Sequence, residues 1–184
     1  MTKQFLKAFL ISLVIISCTK KEQDPFQISK HNIGFLTDST QIKDLEMIFP
    51  NDSISRYIGG DEFTGDINNI EIYAKSGEKL LTLTPSEALD STAVITTVKI
   101  EDERYKTDKS ISKLSTFKDI QDHYRVNKID NLINSVVVSV NEINAAFTID
   151  KKELPASLRF DMEMTIEPFQ IPDNAKIKYF MLHW

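Results

Sequence analysis

Four carboxylates concentrate in one irregular stretch of the chain and are the first residues to consider for chemistry. They are Asp52, Asp61, Glu62 and Asp66. Clusters of oxygen ligands of this kind bind hard cations such as Ca²⁺, but the spacing does not match an EF-hand loop, which needs ligands at alternate positions and a Glu at the twelfth. The spacing therefore favours a solvated acidic loop, and Asp61, Glu62 and Asp66 are the candidate ligands if a metal is bound.

The other reactive residue types form no catalytic pattern. His31, His123 and His183 are far apart in the sequence, and none stands in an H-E-x-x-H arrangement. The sequence contains no Gly-x-Ser-x-Gly turn and no glycine loop of the phosphate-binding type. Carboxylate pairs for glycoside hydrolysis depend on distances in the fold, so sequence marks none. We predict no catalytic residues and no cofactor.

The segment from Gly59 to Phe63, Gly-Gly-Asp-Glu-Phe, resembles the signature of diguanylate cyclases. In that family the motif is a hairpin turn that helps hold a metal on GTP, and further metal-binding and guanine-binding residues lie upstream. Here the corresponding upstream positions fall near Cys18. The family's Arg-x-x-Asp inhibitory motif is also missing, because the third residue after Arg56 is Gly59 and not an aspartate. Without its context the pentapeptide predicts an exposed Gly-Gly turn.

The N-terminus indicates where the protein is located. Two lysines precede an apolar run from Ala8 to Ile16, which is too short to span a bilayer core of ~30 Å. The run ends in Ile15-Ile16-Ser17-Cys18, which resembles the lipobox of bacterial lipoproteins at all four positions. The resemblance implies that residues 1–17 are a signal peptide and that Cys18, the single cysteine, receives the lipid. A plain secretory signal with an incidental cysteine is the alternative.

The residues after the cysteine refine this location. Residues 18–27 are polar without helical or strand periodicity, which predicts a lipidated cysteine followed by a flexible tether. Thr19, rather than an Asp, follows the cysteine, and by resemblance to the enterobacterial sorting rule this favours the outer membrane. The sequence leaves open whether the domain faces the periplasm or the cell surface.

The composition is that of a folded, mildly acidic protein. The chain has 184 residues, of which 41% are hydrophobic and 27% charged, with 5 Gly and 6 Pro, so collagen-like and low-complexity chains are excluded. The net charge of −5 argues against a nucleic-acid partner, since phosphate binding needs a basic surface. We predict one domain over residues 28–184.

Two parts of this domain share a pattern of strand, short helix and antiparallel hairpin. Two pairs of alternating segments are each offset by 66 residues, which predicts tandem repeats over about 28–90 and 105–155. The paired segments are Ile70–Ala74 with Val136–Val140, and Leu80–Thr84 with Ala146–Asp150. The predicted helices are Gln41–Phe49 and Phe117–Tyr124.

Capping and alternation define the remaining elements. Thr116 with Asp119 predicts a capping box at the second helix, and Thr40 is the predicted cap of the first. Strict alternation over 158–167 predicts a half-buried strand, and 176–184 predicts a last strand in a covered position. The fold class expected is therefore α+β: an antiparallel sheet with two short helices, two repeats and two C-terminal strands.

The lipobox, the charged tether and the duplicated unit together resemble small uncharacterised envelope lipoproteins of Gram-negative bacteria. The chain is also similar to the tandem-repeat folds of β-lactamase-inhibitor-like and assembly-factor lipoproteins, although those have two helices per unit. These resemblances imply a non-enzymatic binding or assembly module, joined to the membrane through Cys18, with an envelope protein or glycan as partner. A periplasmic or surface hydrolase using carboxylates or a metal, and an inhibitor of wall-degrading enzymes, are the alternatives.

Overall fold

The computed structural model describes residues 23–56 and 68–184 of the chain. Its two α-helices are α1 (Leu45–Ile48) and α2 (Phe117–His123). Neither helix has the length or the apolar character that crossing a bilayer requires. The strands are β1 (Gln27–Ile28), β2 (Asn32–Ile33), β3 (Leu36–Thr37), β4 (Ser53–Arg56), β5 (Ile70–Tyr73), β6 (Lys79–Pro85), β7 (Ile95–Ile100), β8 (Lys106–Thr107), β9 (Lys128–Asn131), β10 (Ser135–Val140), β11 (Ala145–Asp150) and β12 (Ile177–His183).

Alternating apolar residues build the main layer, an eight-stranded antiparallel sheet with the order β4-β5-β6-β7-β12-β11-β10-β9. In β10, for example, Val136, Val138 and Val140 are buried while Val137 and Ser139 are half-buried. One face of the sheet therefore forms the core and the other face meets solvent. The α+β class predicted from the sequence is confirmed.

A second, four-stranded sheet packs beside the first and has the order β3-β2-β1-β8. Its strands are short, and β1 runs parallel to β8, with Ile28 opposite Thr107. Ile28, Ile33 and Leu36 point into the common core and are almost fully buried. The sequence did not predict this sheet, because two-residue strands carry no detectable periodicity.

The small sheet corrects the predicted boundary of the tether at 18–27. Gln27 belongs to β1, and Phe26 packs edge-on against the ring of Tyr105 with ring centroids 5.1 Å apart. The folded part therefore begins by Asp24, whose carboxylate accepts a hydrogen bond from the Phe26 amide at 2.8 Å. Residues 18–22 lie outside the described part of the chain.

Both helices lie where the sequence places them, but only one cap agrees with prediction. At α2 the Thr116 amide donates to the Asp119 carboxylate at 2.7 Å and the Asp119 amide donates back to Thr116, which confirms the capping box. The first helix begins with a 3₁₀ turn capped by Gln41. Thr40 is not its cap, because it lies one residue before the capping position, and its hydroxyl instead accepts the Thr37 amide at 2.9 Å.

The strand predicted over 158–167 is wrong. Leu158 ends a 3₁₀ turn and the following residues are irregular, with Phe160 88% exposed. The Asp161 carboxylate accepts the amides of Glu163 and Met164, which bends the chain where a strand must extend. Of the two predicted C-terminal strands only β12 exists, and it lies at the centre of the sheet between β7 and β11, a covered position as expected.

Candidate functional site

Most of the residues singled out from the sequence lie outside the described part of the chain. This holds for Cys18 and for the candidate metal ligands Asp61, Glu62 and Asp66. The Gly-Gly-Asp-Glu-Phe motif lies in the same undescribed segment. The fourth carboxylate of the acidic stretch, Asp52, is described and lines a cleft.

The three histidines lie in different parts of the fold and each has a local contact. His31 Nδ1 is 2.8 Å from an Asp38 carboxylate oxygen, and His183 Nδ1 is 3.2 Å from the Thr97 hydroxyl. His123 Nδ1 lies 2.9 Å from a backbone carbonyl of its own helix. Within residues 23–56 and 68–184, no group of three or more His, Cys, Asp or Glu side chains is placed to hold a metal ion.

An apolar opening of the described surface lies where the small sheet meets α1 and the edge of the main sheet. It has a volume of about 490 Å³, which is within the range of ligand-binding clefts. We call it the Tyr105 cleft after its most buried polar residue. Its lining residues are Pro25, Phe26, Ile33, Phe35, Met47, Ile48, Phe49, Pro50, Asn51, Asp52, Ala74, Leu80, Arg104 and Tyr105.

One wall of the Tyr105 cleft is held rigidly by the pairing of β1 with β8. The Lys106 amide donates to the Phe26 carbonyl at 3.0 Å, which fixes the two strands beside each other. The Arg104 guanidinium lies 4.6 Å above the Phe26 ring, a cation–π contact, while Tyr105 meets the same ring edge-on. Asp102 holds Arg104 in place by accepting two of its N–H groups, each at 2.9 Å.

The opposite wall comes from α1 and the residues that follow it. Ile48 and Phe49 pack onto the core, while Met47 projects outward and is 76% exposed. Phe35, from the turn between β2 and β3, is 50% exposed at the same rim. An apolar cleft edged by two large exposed apolar side chains is typical of a surface that contacts another molecule.

Tyr105 gives the cleft its one buried polar group. The residue is 2% exposed, and burial raises the pKa of its phenol well above the ordinary value, with the carboxylates of Asp52 and Asp102 adding to the effect. The phenol is therefore neutral at physiological pH and keeps its O–H as a hydrogen-bond donor. Together with Asp52 and Arg104, it offers a ligand one donor, one carboxylate and one guanidinium in apolar surroundings.

Sequence reasoning missed the residues that form this site. Phe26 stands in a polar segment, and Arg104 and Tyr105 follow three other charged residues after β7, so both stretches have the composition of linkers. The available signal was an aromatic residue inside each polar stretch, since a large apolar side chain is buried far more often than its polar neighbours. The aromatics Phe26 and Tyr105 are brought together only by the pairing of β1 with β8. In this pairing Gln27 lies opposite Lys106, which is 79 residues further along the chain.

Comparison with known proteins identifies a related fold. No protein-family model matches the chain, and no curated protein matches it significantly. Among solved structures it is similar to the uncharacterized protein YfeY from Escherichia coli, with a TM-score of 0.54. The two chains are 12% identical, and the match covers 86% of this chain and 99% of that one. At this identity the likeness shows a common fold alone.

Proposed function

We propose that this chain is a lipid-anchored protein of the bacterial cell envelope that acts as a non-enzymatic binding or assembly module. Cys18 carries the lipid, the outer membrane is the location, and the Tyr105 cleft is the contact site for a partner. The lipobox resemblance supports the anchor, and the exposed apolar rim of the cleft supports the binding role.

The observation that carries this proposal is the short distance along the chain between the predicted anchor and the cleft. Pro25, which lines the cleft, is only seven residues after Cys18. A fully extended chain gains at most ~3.6 Å per residue, so these residues span at most about 25 Å. A lipid on Cys18 would therefore hold the cleft close to the membrane surface, where it meets other envelope proteins.

The chemistry of the cleft favours a protein partner over a glycan. Phe35 and Met47 supply an apolar rim, and the Tyr105 hydroxyl is a single buried donor. A protein partner fits this cleft because protein interfaces supply apolar side chains that lie next to hydrogen-bond acceptors. A glycan would need many more polar groups in the cleft to replace its bound water.

The test is a pull-down of the mature lipidated protein from its own envelope after mild cross-linking. Met47→Glu places a charge on the exposed rim, while Leu114→Glu places the same charge on a residue that is 66% exposed and does not line the cleft. We expect one stoichiometric protein partner that is lost with Met47→Glu and retained with Leu114→Glu.

Two outcomes would contradict the proposal. A partner that binds Met47→Glu as well as the unaltered protein would place the contact elsewhere on the surface. The absence of any stoichiometric protein partner, or the capture of glycan alone, would overturn the protein-binding role. Fractionation of Cys18→Ser tests the anchor separately, because the variant should leave the membrane fraction.

A further inference from the structure

One edge of the main sheet carries a cluster of exposed apolar side chains. Leu132 and Ile133, in the turn between β9 and β10, are 49% and 70% exposed. Phe160 and Met162, in the irregular segment after β11, are 88% and 52% exposed. We call these four residues the apolar tip. Ile133, Phe160 and Met162 line one common depression of the surface, and exposed apolar residues that cluster in this way mark a contact surface.

Hydrogen bonds hold the two segments of the apolar tip together. The side-chain amide of Asn131, at the end of β9, donates to the carbonyls of Asp161 and Met164, each at 2.9 Å. The Asp161 carboxylate in turn accepts the amides of Glu163 and Met164, at 2.9 and 3.2 Å. The fold therefore fixes the backbone that presents these apolar side chains to solvent.

The apolar tip lies at the same edge of the main sheet as the Tyr105 cleft. Alternate strands of an antiparallel sheet run in the same direction, and β5 and β9 are the second and the eighth strand in the order. Their C-terminal ends lie at one edge, where Ala74 follows β5 and Leu132 follows β9. Ala74 lines the Tyr105 cleft together with Pro25. The N-terminal part of the described chain thus reaches the sheet at the edge that carries the apolar tip.

The opposite edge supplies a matched reference position. Because β6 begins at the edge where β5 ends, the connection between β6 and β7 lies at the other edge of the sheet. Leu89 belongs to this connection and is 77% exposed, which is close to the exposure of Phe160. A contact made by the apolar tip should therefore leave the surroundings of Leu89 unchanged.

The length of chain before Pro25 indicates which surface this edge meets. Pro25 is seven residues after Cys18, so a lipid on Cys18 keeps the bilayer within about 25 Å of Pro25. The six strand spacings from β5 to β9 amount to about 29 Å. A bilayer can therefore hold Cys18 and touch the apolar tip at the same time. Because the anchor makes this contact intramolecular, a few apolar side chains are sufficient to maintain it.

We propose that the apolar tip inserts into the interfacial region of the bilayer in which Cys18 is anchored. Its side chains lie between the headgroups and the first acyl carbons, as the apolar faces of interfacial segments do. The contact turns one edge of the sheet toward the membrane and gives the Tyr105 cleft a fixed orientation. The inference rests on the proposed function only for the anchor, since the apolar tip shares no residue with the Tyr105 cleft.

Tryptophan fluorescence of the mature lipidated protein on vesicles measures the contact. Trp184 is the single tryptophan of the chain, so Trp184→Phe provides a background without tryptophan emission. In this background Phe160→Trp places the probe on the apolar tip, and Leu89→Trp places it at the opposite edge. The vesicles consist of phosphatidylcholine with brominated acyl chains, which quench a tryptophan that enters the bilayer. We expect a blue shift and quenching for Phe160→Trp and neither for Leu89→Trp.

Charged variants make the test specific to the apolar tip. In the Phe160→Trp protein, Met162→Glu adds a charge to the tip, and Leu89→Glu adds the same charge at the opposite edge. The equilibrium constant for contact should fall about tenfold or more with Met162→Glu and less than about twofold with Leu89→Glu, since only the first removes buried apolar area. Both positions are exposed, so the unfolding temperatures should stay the same. Quenching should be equal at low and high salt, because salt does not screen an apolar contact.

Flotation of the vesicles reports the anchor separately from the contact. If the protein does not float, coupling the Cys18 thiol to a maleimide lipid supplies the same anchor point, and the contact is then measured as before. On anchored protein, no quenching of Phe160→Trp, or equal quenching of Leu89→Trp, would overturn the proposal. A blue shift of Phe160→Trp without vesicles that disappears on dilution would show that a second copy of the chain covers the tip instead. Loss of quenching at high salt would exclude an apolar contact.

Discussion

Ile100 and Phe180 lie directly opposite each other in the antiparallel pair β7–β12, at the middle of the eight-stranded sheet. Both are buried, and the Phe180 ring stacks on Phe147 of the next strand with centroids 4.6 Å apart. From this pair outward the strands run β7-β6-β5-β4 on one side and β12-β11-β10-β9 on the other. This arrangement is the one that a tandem duplication would produce, and it supports the predicted repeats, which stay a prediction.

Truncation of the central ring should be among the costliest single changes. Phe180→Ala removes a fully buried ring and leaves a cavity beside Phe147, so we expect the free energy of unfolding to fall by about 3–5 kcal/mol. Phe169→Ala, at a residue 85% exposed, is the matched control and should change it by less than about 0.5 kcal/mol. Urea unfolding monitored by circular dichroism measures both, and similar losses in the two variants would contradict the packing described.

Two glycines allow a test of backbone geometry. Gly34 and Gly77 both have positive φ, at 55° and 96°, which costs an L-residue about 1 kcal/mol or more. A Cβ at Gly34 would also collide with the carbonyl oxygen of Pro25, whereas a Cβ at Gly77 would meet open space. Gly34→Ala should therefore lower the free energy of unfolding by more than about 2 kcal/mol and Gly77→Ala by about 1 kcal/mol. Denaturant unfolding of the two variants checks the order, and a larger loss for Gly77→Ala would be incompatible with this geometry.

The capping box of α2 makes a separate prediction. Thr116→Ala removes the hydroxyl that accepts the Asp119 amide and should cost about 1 kcal/mol of stability. Thr116→Ser keeps an acceptor at the same position and should cost less than half as much. Thermal unfolding of the two variants measures the difference, and equal losses would indicate that the methyl group rather than the hydroxyl matters.

The parts of the fold that local rules determine could be predicted from the sequence. Alternation placed the β10–β11 hairpin because Val136, Val138 and Phe147 point to one face, and Thr116 marked the start of α2. Local rules failed over 158–167, where the alternation is typical of a strand. The Asp161 side chain accepts the amides of Glu163 and Met164 there, and these amides are then not free to pair with a neighbouring strand.

The candidate sites could not be predicted because they depend on contacts between distant parts of the chain. Phe26 and Tyr105 meet only through the parallel pairing of β1 with β8, and parallel pairing of short strands has no sequence signature.

The ion pair at the rim of the Tyr105 cleft predicts a specific pH dependence. Hydrogen bonds from Arg104 hold the pKa of the Asp102 carboxyl below its usual range, and the Asp102 side chain is 11% exposed. A carboxyl with a lowered pKa in the folded state binds protons more weakly there than in the unfolded chain. Its stabilising contribution is therefore complete above the unfolded pKa of about 4 and is lost as the pH falls through the lower, folded pKa.

Asp102→Asn should accordingly lower the free energy of unfolding by about 1 kcal/mol at pH 7, because it removes the charge that Arg104 pairs with. The difference from the unaltered protein should begin to shrink below about pH 4, where the unfolded chain takes up a proton on Asp102, and it should vanish below the lower folded pKa, where the folded protein has lost the same interaction. Asp173→Asn, whose side chain is 70% exposed, is the control and should differ little at any pH. Urea unfolding of the three proteins from pH 7 to pH 2.5 measures these differences, and a gap for Asp102→Asn that stays constant or widens in acid would refute the assigned role of the pair.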